Sequence, residues 1–167
     1  PDGVYSATSA YASYPQGLSN NGTDLYTVLP ASFWDSGAYK DIIVKTDLSG
    51  NYISYFAAPG NGWTTEAITF IGNTLYAAYN DWSSTASAYK GNVRRYSFAT
   101  DNWTAISGLS NLDSIGGLAS DGTNLFIAYR DELTIEKRNP STGAVIKTLD
   151  LNDAWGTGMF TFKPMWG

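Results

Sequence analysis

Short runs in which apolar and polar residues alternate follow one another along the chain, and no helical period persists at useful length. From about Ser13 the runs fall at 16–20, 24–30, 41–47 and 51–57, then at 65–71, 74–80, 91–98 and 102–107, then at 114–120, 124–130, 132–138 and 144–150. They are rich in Ile, Val, Tyr, Phe and Thr, which suit a pleated, half-buried surface, so the pattern predicts twelve strands. Turn residues punctuate them. Asn21-Gly22, Gly72-Asn73 and Asp121-Gly122 tolerate the positive φ of tight hairpins. Ser49-Gly50-Asn51, Thr100-Asp101-Asn102 and Pro140-Ser141-Thr142-Gly143 serve the wider turns. Alternation around Val4, Ser6 and Thr8 allows one further, leading strand.

The runs are copies of one unit. Gly22-Thr23-Asp24-Leu25-Tyr26 returns as Gly72-Asn73-Thr74-Leu75-Tyr76 and again as Gly122-Thr123-Asn124-Leu125-Phe126, with no drift in spacing. Gly17-Leu18, Ala67-Ile68 and Gly117-Leu118 keep the same register, and Ala38-Tyr39-Lys40 matches Ala88-Tyr89-Lys90. Four antiparallel strands repeated every ~40–50 residues are the signature of propeller blades. A β-sandwich also accommodates many short strands, but it gives no reason for a constant interval. The expected fold is therefore all-β, with propeller-type four-stranded antiparallel blades, about three of them plus a partial fourth. Residues 1–12 are expected as a leading strand in the place of a preceding blade's last strand. Repeats then cover 13–62, 63–112 and 113–154. Within 155–167, Trp155-Gly-Thr-Gly-Met-Phe-Thr-Phe162 resembles Trp63-Thr-Thr-Glu-Ala-Ile-Thr-Phe70, so this segment reads as the first strand of a further blade or as an inter-subunit strand. Propellers close with about four to eight blades, so the expected layout leaves faces and edges in need of a partner.

Composition narrows the chemistry. The net charge of −5 argues against a nucleic-acid backbone as partner, because that requires clustered Lys and Arg. Arg94-Arg95 is the nearest thing to a cluster, and adjacent strand residues point to opposite faces. With no Cys and no His, disulfides, thiolate chemistry, Ser-His-Asp systems and the usual zinc sites are closed. No cofactor or metal is expected. No apolar run approaches the ~20 residues of a membrane span. Few charged residues, many Ser, Thr, Asn, Gly and Tyr, and the absence of Cys favour a secreted or cell-surface β-protein, by preference bacterial. A start at Pro1 suggests that a leader or a longer chain preceded it.

Tyr96 and Trp103, with six residues between them, resemble the Tyr and Trp that pack inside a kelch blade. That resemblance implies a propeller of a kind that mostly binds protein partners, with a minority of oxidases and lectins. The kelch glycine pair at the end of the second strand is replaced by Tyr79-Asn80, and Gly116-Gly117 stands in a first strand instead. The other repeats carry Thr46 and Ile53, and Arg138 and Val145, at the Tyr and Trp positions. Arg138-Asn-Pro-Ser-Thr-Gly-Ala-Val145 looks more like the turn of quinoprotein and NHL-type propellers. The likeness covers blade architecture over most of the chain and a motif in one blade.

Carboxylate pairs remain as possible chemistry, but twelve Asp and three Glu are present and most Asp fall in turns, where a solvated turn role is the simpler account. The expectation is that the chain is not an enzyme. Aromatic loops give the better signal. In a propeller, the loops joining second to third strands share a face with the links between blades. Loops of about ten residues are expected there, carrying Trp34, Asp35 and Tyr39 in one repeat and Asp81, Trp82 and Tyr89 in the next, with Trp63 and Trp155 in the links. Rings beside short acids suit sugars, and they also anchor protein interfaces. For Trp63 and Trp155 the competing role is packing between blades. In the third repeat the loop shrinks to Arg130-Asp131, so the face is unsymmetrical and suits one site.

Asn21 and Asn102 head N-x-Thr sequons in expected turns. The leading expectation is an extracellular structural or interaction protein that self-assembles through open blade edges, with Met159, Phe160 and Phe162 on an assembly strand completing a neighbour's blade. Its partners would be itself or adjoining blades, with glycans as a further class. The alternatives are a carbohydrate-binding propeller and a fragment of a larger propeller enzyme or sensor.

Overall fold

The computed structural model describes residues 14–35, 38–60 and 64–151, with backbone alone over 31–35 and 38–39. Twelve strands follow in chain order: β1 Gln16–Asn20, β2 Asp24–Asp35, β3 Ala38–Asp47, β4 Tyr52–Ala57, β5 Thr65–Ile71, β6 Thr74–Ser83, β7 Ala88–Ser97, β8 Asn102–Ala105, β9 Ile115–Ser120, β10 Leu125–Tyr129, β11 Thr134–Arg138 and β12 Val145–Asp150. They form three separate four-stranded sheets, each an antiparallel meander in sequence order. We number these sheets blades 1, 2 and 3. The twelve strands stand where the alternation placed them, but β2, β3, β6 and β7 run on past the expected bounds. The expected leading strand 1–12 and the segment 155–167 lie outside the described residues.

The hairpin turns take the conformations their residues suit. Gly22, Gly72 and Gly122 have φ of 95°, 55° and 84°, a region that a Cβ makes costly. Asp121 Oδ1 accepts the backbone N–H groups of Thr123 and Asn124, and Asn21 Oδ1 accepts those of Thr23 and Asp24, so in blades 1 and 3 the polar residue before the glycine locks the turn.

The blades lean on one another through their first strands: β1 packs on β5, and β5 on β9. This side-by-side succession of innermost strands is how propeller blades surround an axis. Two cores lie between the sheets. Tyr26, Val28 and Ile43 of blade 1 meet Ile68, Phe70, Leu75, Ala77 and Tyr96 of blade 2. Tyr76, Ala78 and Val93 of blade 2 meet Ile115, Leu125, Ile127 and Tyr129 of blade 3. Strand β6 therefore serves both cores with alternate residues, and Thr74 apart its first seven residues are all buried. By contrast, β12 is exposed along its whole length.

Blade pairs are tied at their outer strands too. Phe56 of blade 1 stacks on Tyr96 at 4.4 Å, Tyr96 lies 4.9 Å from Trp103, and Tyr96 also donates its hydroxyl to Asp101. The Tyr96–Trp103 pair thus faces blade 1 instead of closing a core within blade 2. In blade 3 the position of Tyr96 is taken by Arg138, which forks onto Glu136 at 2.6 Å and donates to the Gly108 carbonyl.

Candidate functional site

The expected ten-residue loops are not loops. Strand β2 runs on to Asp35 and β3 starts at Ala38, while β6 runs to Ser83 and β7 starts at Ala88. Both hairpins therefore extend beyond the blade cores as paired arms, because aromatic residues keep pairing across the two strands where a loop would need breakers. Trp34 stands opposite Tyr39, and Asp35 opposite Ala38. In blade 2, Trp82 stands opposite Tyr89 and Asp81 opposite Lys90. The same Trp–Tyr pairing thus occurs on both arms.

On the second arm the pair stands in the open. The rings of Trp82 and Tyr89 meet edge to face at 5.3 Å and are 60% and 54% exposed. Asp81 and Lys90, one step nearer the core, point to the other face of the arm. Lys90 pairs with Asp113 at 2.7 Å, tying the arm to the link before β9. Burial pushes the Asp81 carboxyl up from the ordinary Asp range, opposed by the Arg94 guanidinium. Arg94 lies 5.3 Å over the Tyr79 ring, whereas Arg95 stands opposite Tyr76, so the two arginines do face opposite ways.

A polar cluster that the sequence did not single out sits at the foot of this arm. Asn80, 3% exposed, exchanges two hydrogen bonds with the Ile115 backbone, N–H to Oδ1 at 2.8 Å and Nδ2 to the carbonyl at 2.9 Å. Its Nδ2 also donates to Glu66, which pairs with Arg130 at 2.7 Å. The legible signal was that Asn80 and Arg130 occupy one register position: their backbone N–H groups donate to the equivalent carbonyls of Thr64 and Ser114. Pro30 stands at that position in blade 1 and has no N–H to give. Asp41, fully buried, accepts the backbone N–H of Thr64 and Thr65, fastening the link into β5.

Trp63, Trp155, Met159, Phe160 and Phe162 lie outside the described residues, and for Trp34, Asp35 and Tyr39 only the backbone is placed. Asn21 is half-buried, its side chain closing the β1–β2 turn, whereas Asn102 is exposed at the start of β8. Among the described residues no group of His, Cys, Asp and Glu is placed to hold a metal ion, and no helix is long and apolar enough to cross a membrane.

The fold is of the propeller type. The structure is similar to the crystal structure of Myxococcus xanthus glutaminyl cyclase, with a TM-score of 0.59 and 11% identity over 91% of this chain. The match spans 60% of that chain, so this sequence answers to part of its neighbour's length. No protein-family model and no curated protein matches the sequence. At this identity the likeness concerns the fold. It still corrects one expectation: the neighbour is an enzyme, so the expectation that this chain is not an enzyme does not stand.

Proposed function

We propose that this chain supplies consecutive blades to a larger β-propeller assembly and works as an interaction protein, secreted or on a cell surface. Its partners are further blades, from a second copy or an adjoining chain. The observation that carries this reading is the contrast between blades: β6 is buried on both faces, whereas blades 1 and 3 are each buried against one neighbour. Exposed apolar residues lie on both outer blades, among them Leu18, Tyr52 and Ile53 on blade 1 and Val145, Ile146 and Leu149 on blade 3, as they do at Trp82, Tyr89 and Phe98 of blade 2. Exposed apolar side chains of this kind suit association with a partner. Light scattering after size-exclusion chromatography tests the proposal. A discrete oligomer or fibre is the expected result, and a stable monomer at high concentration overturns it.

A second reading rests on the arm of blade 2. Trp82 and Tyr89 form an exposed, angled pair of rings, with the exposed Asp81 and the Glu66–Arg130 pair near its base. Such rings offer a stacking platform to a sugar. A glycan array on the folded protein tests this, and an empty array removes it.

A further inference from the structure

Each blade carries the same cross-strand set on the face that looks toward its successor. Tyr26 stands opposite Lys45 and Val28 opposite Ile43; Tyr76 opposite Arg95 and Ala78 opposite Val93; Phe126 opposite Lys137 and Ala128 opposite Ile135. Lys45 lies 5.8 Å over the Tyr26 ring and pairs with Asp24, while Lys137 lies 5.3 Å over the Phe126 ring and pairs with Asp121. In blades 1 and 2 these aromatic and aliphatic residues are buried by the innermost strand of the next blade. Their counterparts in blade 3, Phe126, Ala128 and Ile135, are half-buried, and no described strand lies across them.

We propose that this face of blade 3 is the seat of the chain's own residues 155–162, acting in cis as the innermost strand of a fourth blade. The register argues for this occupant. Trp155, Thr157, Thr161 and Phe162 repeat Trp63, Thr65, Thr69 and Phe70. Strand β5 contains Thr65, Thr69 and Phe70, and it lies across the equivalent face of blade 1 with Phe70 on Tyr26 at 4.9 Å. The same register sets Phe162 against Phe126. It also sets Met159 beside Gly117, because Ala67 lies beside Gly17, where an added Cβ would come 3.0 Å from the Ala67 Cα. Reach favours the chain's own segment: the connection 151–156 compares with 58–64 and 106–114, which join the other blades. The inference rests on the blade reading given under Proposed function, and places the free edge open to partners on this fourth innermost strand.

The chain has no Cys, so Ala119→Cys with Phe162→Cys introduces a single pair of thiols. These positions answer in register to Thr69 and Ser120, whose side-chain oxygens meet at 3.3 Å between blades 2 and 3. Mild oxidation of dilute full-length protein is expected to give an intrachain disulfide in the greater part of the monomer, read by non-reducing electrophoresis and peptide mapping. The control pair Ser141→Cys with Phe162→Cys is expected to stay reduced. A bond formed only between chains, or no bond, overturns the proposal. Phe126→Ala and Phe162→Ala give a second readout in urea: the double variant is expected to lose little more midpoint than either single variant, and additive losses overturn it. Because the disulfide is scored in the monomer, failure of assembly in light scattering leaves this result interpretable.

Discussion

The indole N–H of Trp103, on the outermost strand of blade 2, donates to the Ala57 carbonyl at the end of the outermost strand of blade 1, at 2.8 Å. Arg138 does the equivalent from blade 3, with its guanidinium 3.0 Å from the Gly108 carbonyl in the link that leaves blade 2. Two chemically unlike side chains thus fasten successive blades at one place: a donor reaches back to a carbonyl of the preceding blade or the link that follows it. Trp103→Phe keeps most of the ring contact with Tyr96 and removes the donor, so it should cost about 1 kcal/mol. Trp103→Ala removes the ring as well and should cost about 3 kcal/mol. Urea denaturation followed by tyrosine emission checks both. No loss in Trp103→Phe would mean that the bond contributes nothing.

Asn80→Ala should be as damaging as Trp103→Ala, although no apolar packing is lost. It strands a buried N–H and carbonyl of Ile115, the first residue of β9, and releases Glu66 from one donor. The expected loss is about 3 kcal/mol, from the desolvation of unpaired backbone groups. Hydrogen exchange should show the protection of the Ile115 amide falling first. Unchanged protection there would refute the role given to Asn80.

Acid should weaken the fold through its turn aspartates. Lys45 holds the Asp24 carboxyl below the usual range, the Asn51 side chain does so for Asp47, and Lys137 does so for Asp121. Their folded values lie below the unfolded value of about 3.9, so the unfolded chain takes up protons first as pH falls. The stability they supply is present above about pH 4 and drains away below it. Asp121→Asn should flatten part of that fall. An unaltered urea midpoint between pH 7 and pH 3 contradicts the account.

Alkali should act in the opposite direction through buried phenols. Burial pushes the hydroxyls of Tyr26, Tyr76, Tyr79, Tyr96 and Tyr129 above the ordinary tyrosine range. Raised folded values supply stability that is present below about pH 10 and lost as pH climbs through them. A spectrophotometric titration should show these tyrosines ionising late and together with unfolding.

Trp82→Ala should leave the urea midpoint within about 0.5 kcal/mol of the parent, since the ring is 60% exposed and meets chiefly Tyr89. If the arm binds sugar, the same variant should lose that binding. A large loss of stability would make the pair a structural clasp instead.

The strands were legible because a period of two in side-chain exposure survives in each copy, and because glycine at positive φ marks each first hairpin turn. Even the direction of two aromatics was implicit: Tyr26, Tyr76 and Phe126 share a register position, and the first two face the succeeding blade. The arms were read as loops because Phe33-Trp34-Asp35 and Asp81-Trp82 interrupt the repeat, and a departure from a repeat looks the same in sequence whether it forms a loop or a longer ladder. Asn80, Glu66 and Arg130 were passed over because each is unremarkable alone. Their meaning lies in the approach of β6, β5 and β10, which pairing between neighbouring residues cannot express.

The sequence by itself determined the strands, their turns and their grouping into four-stranded units, because alternation and turn chemistry act over a few residues. Tertiary structure decided which faces meet. It turned Tyr96 and Trp103 toward blade 1, buried β6 on both sides, and left β12 in solvent. Those outcomes depend on how sheets pack side by side around an axis, and that packing joins residues far apart in the chain.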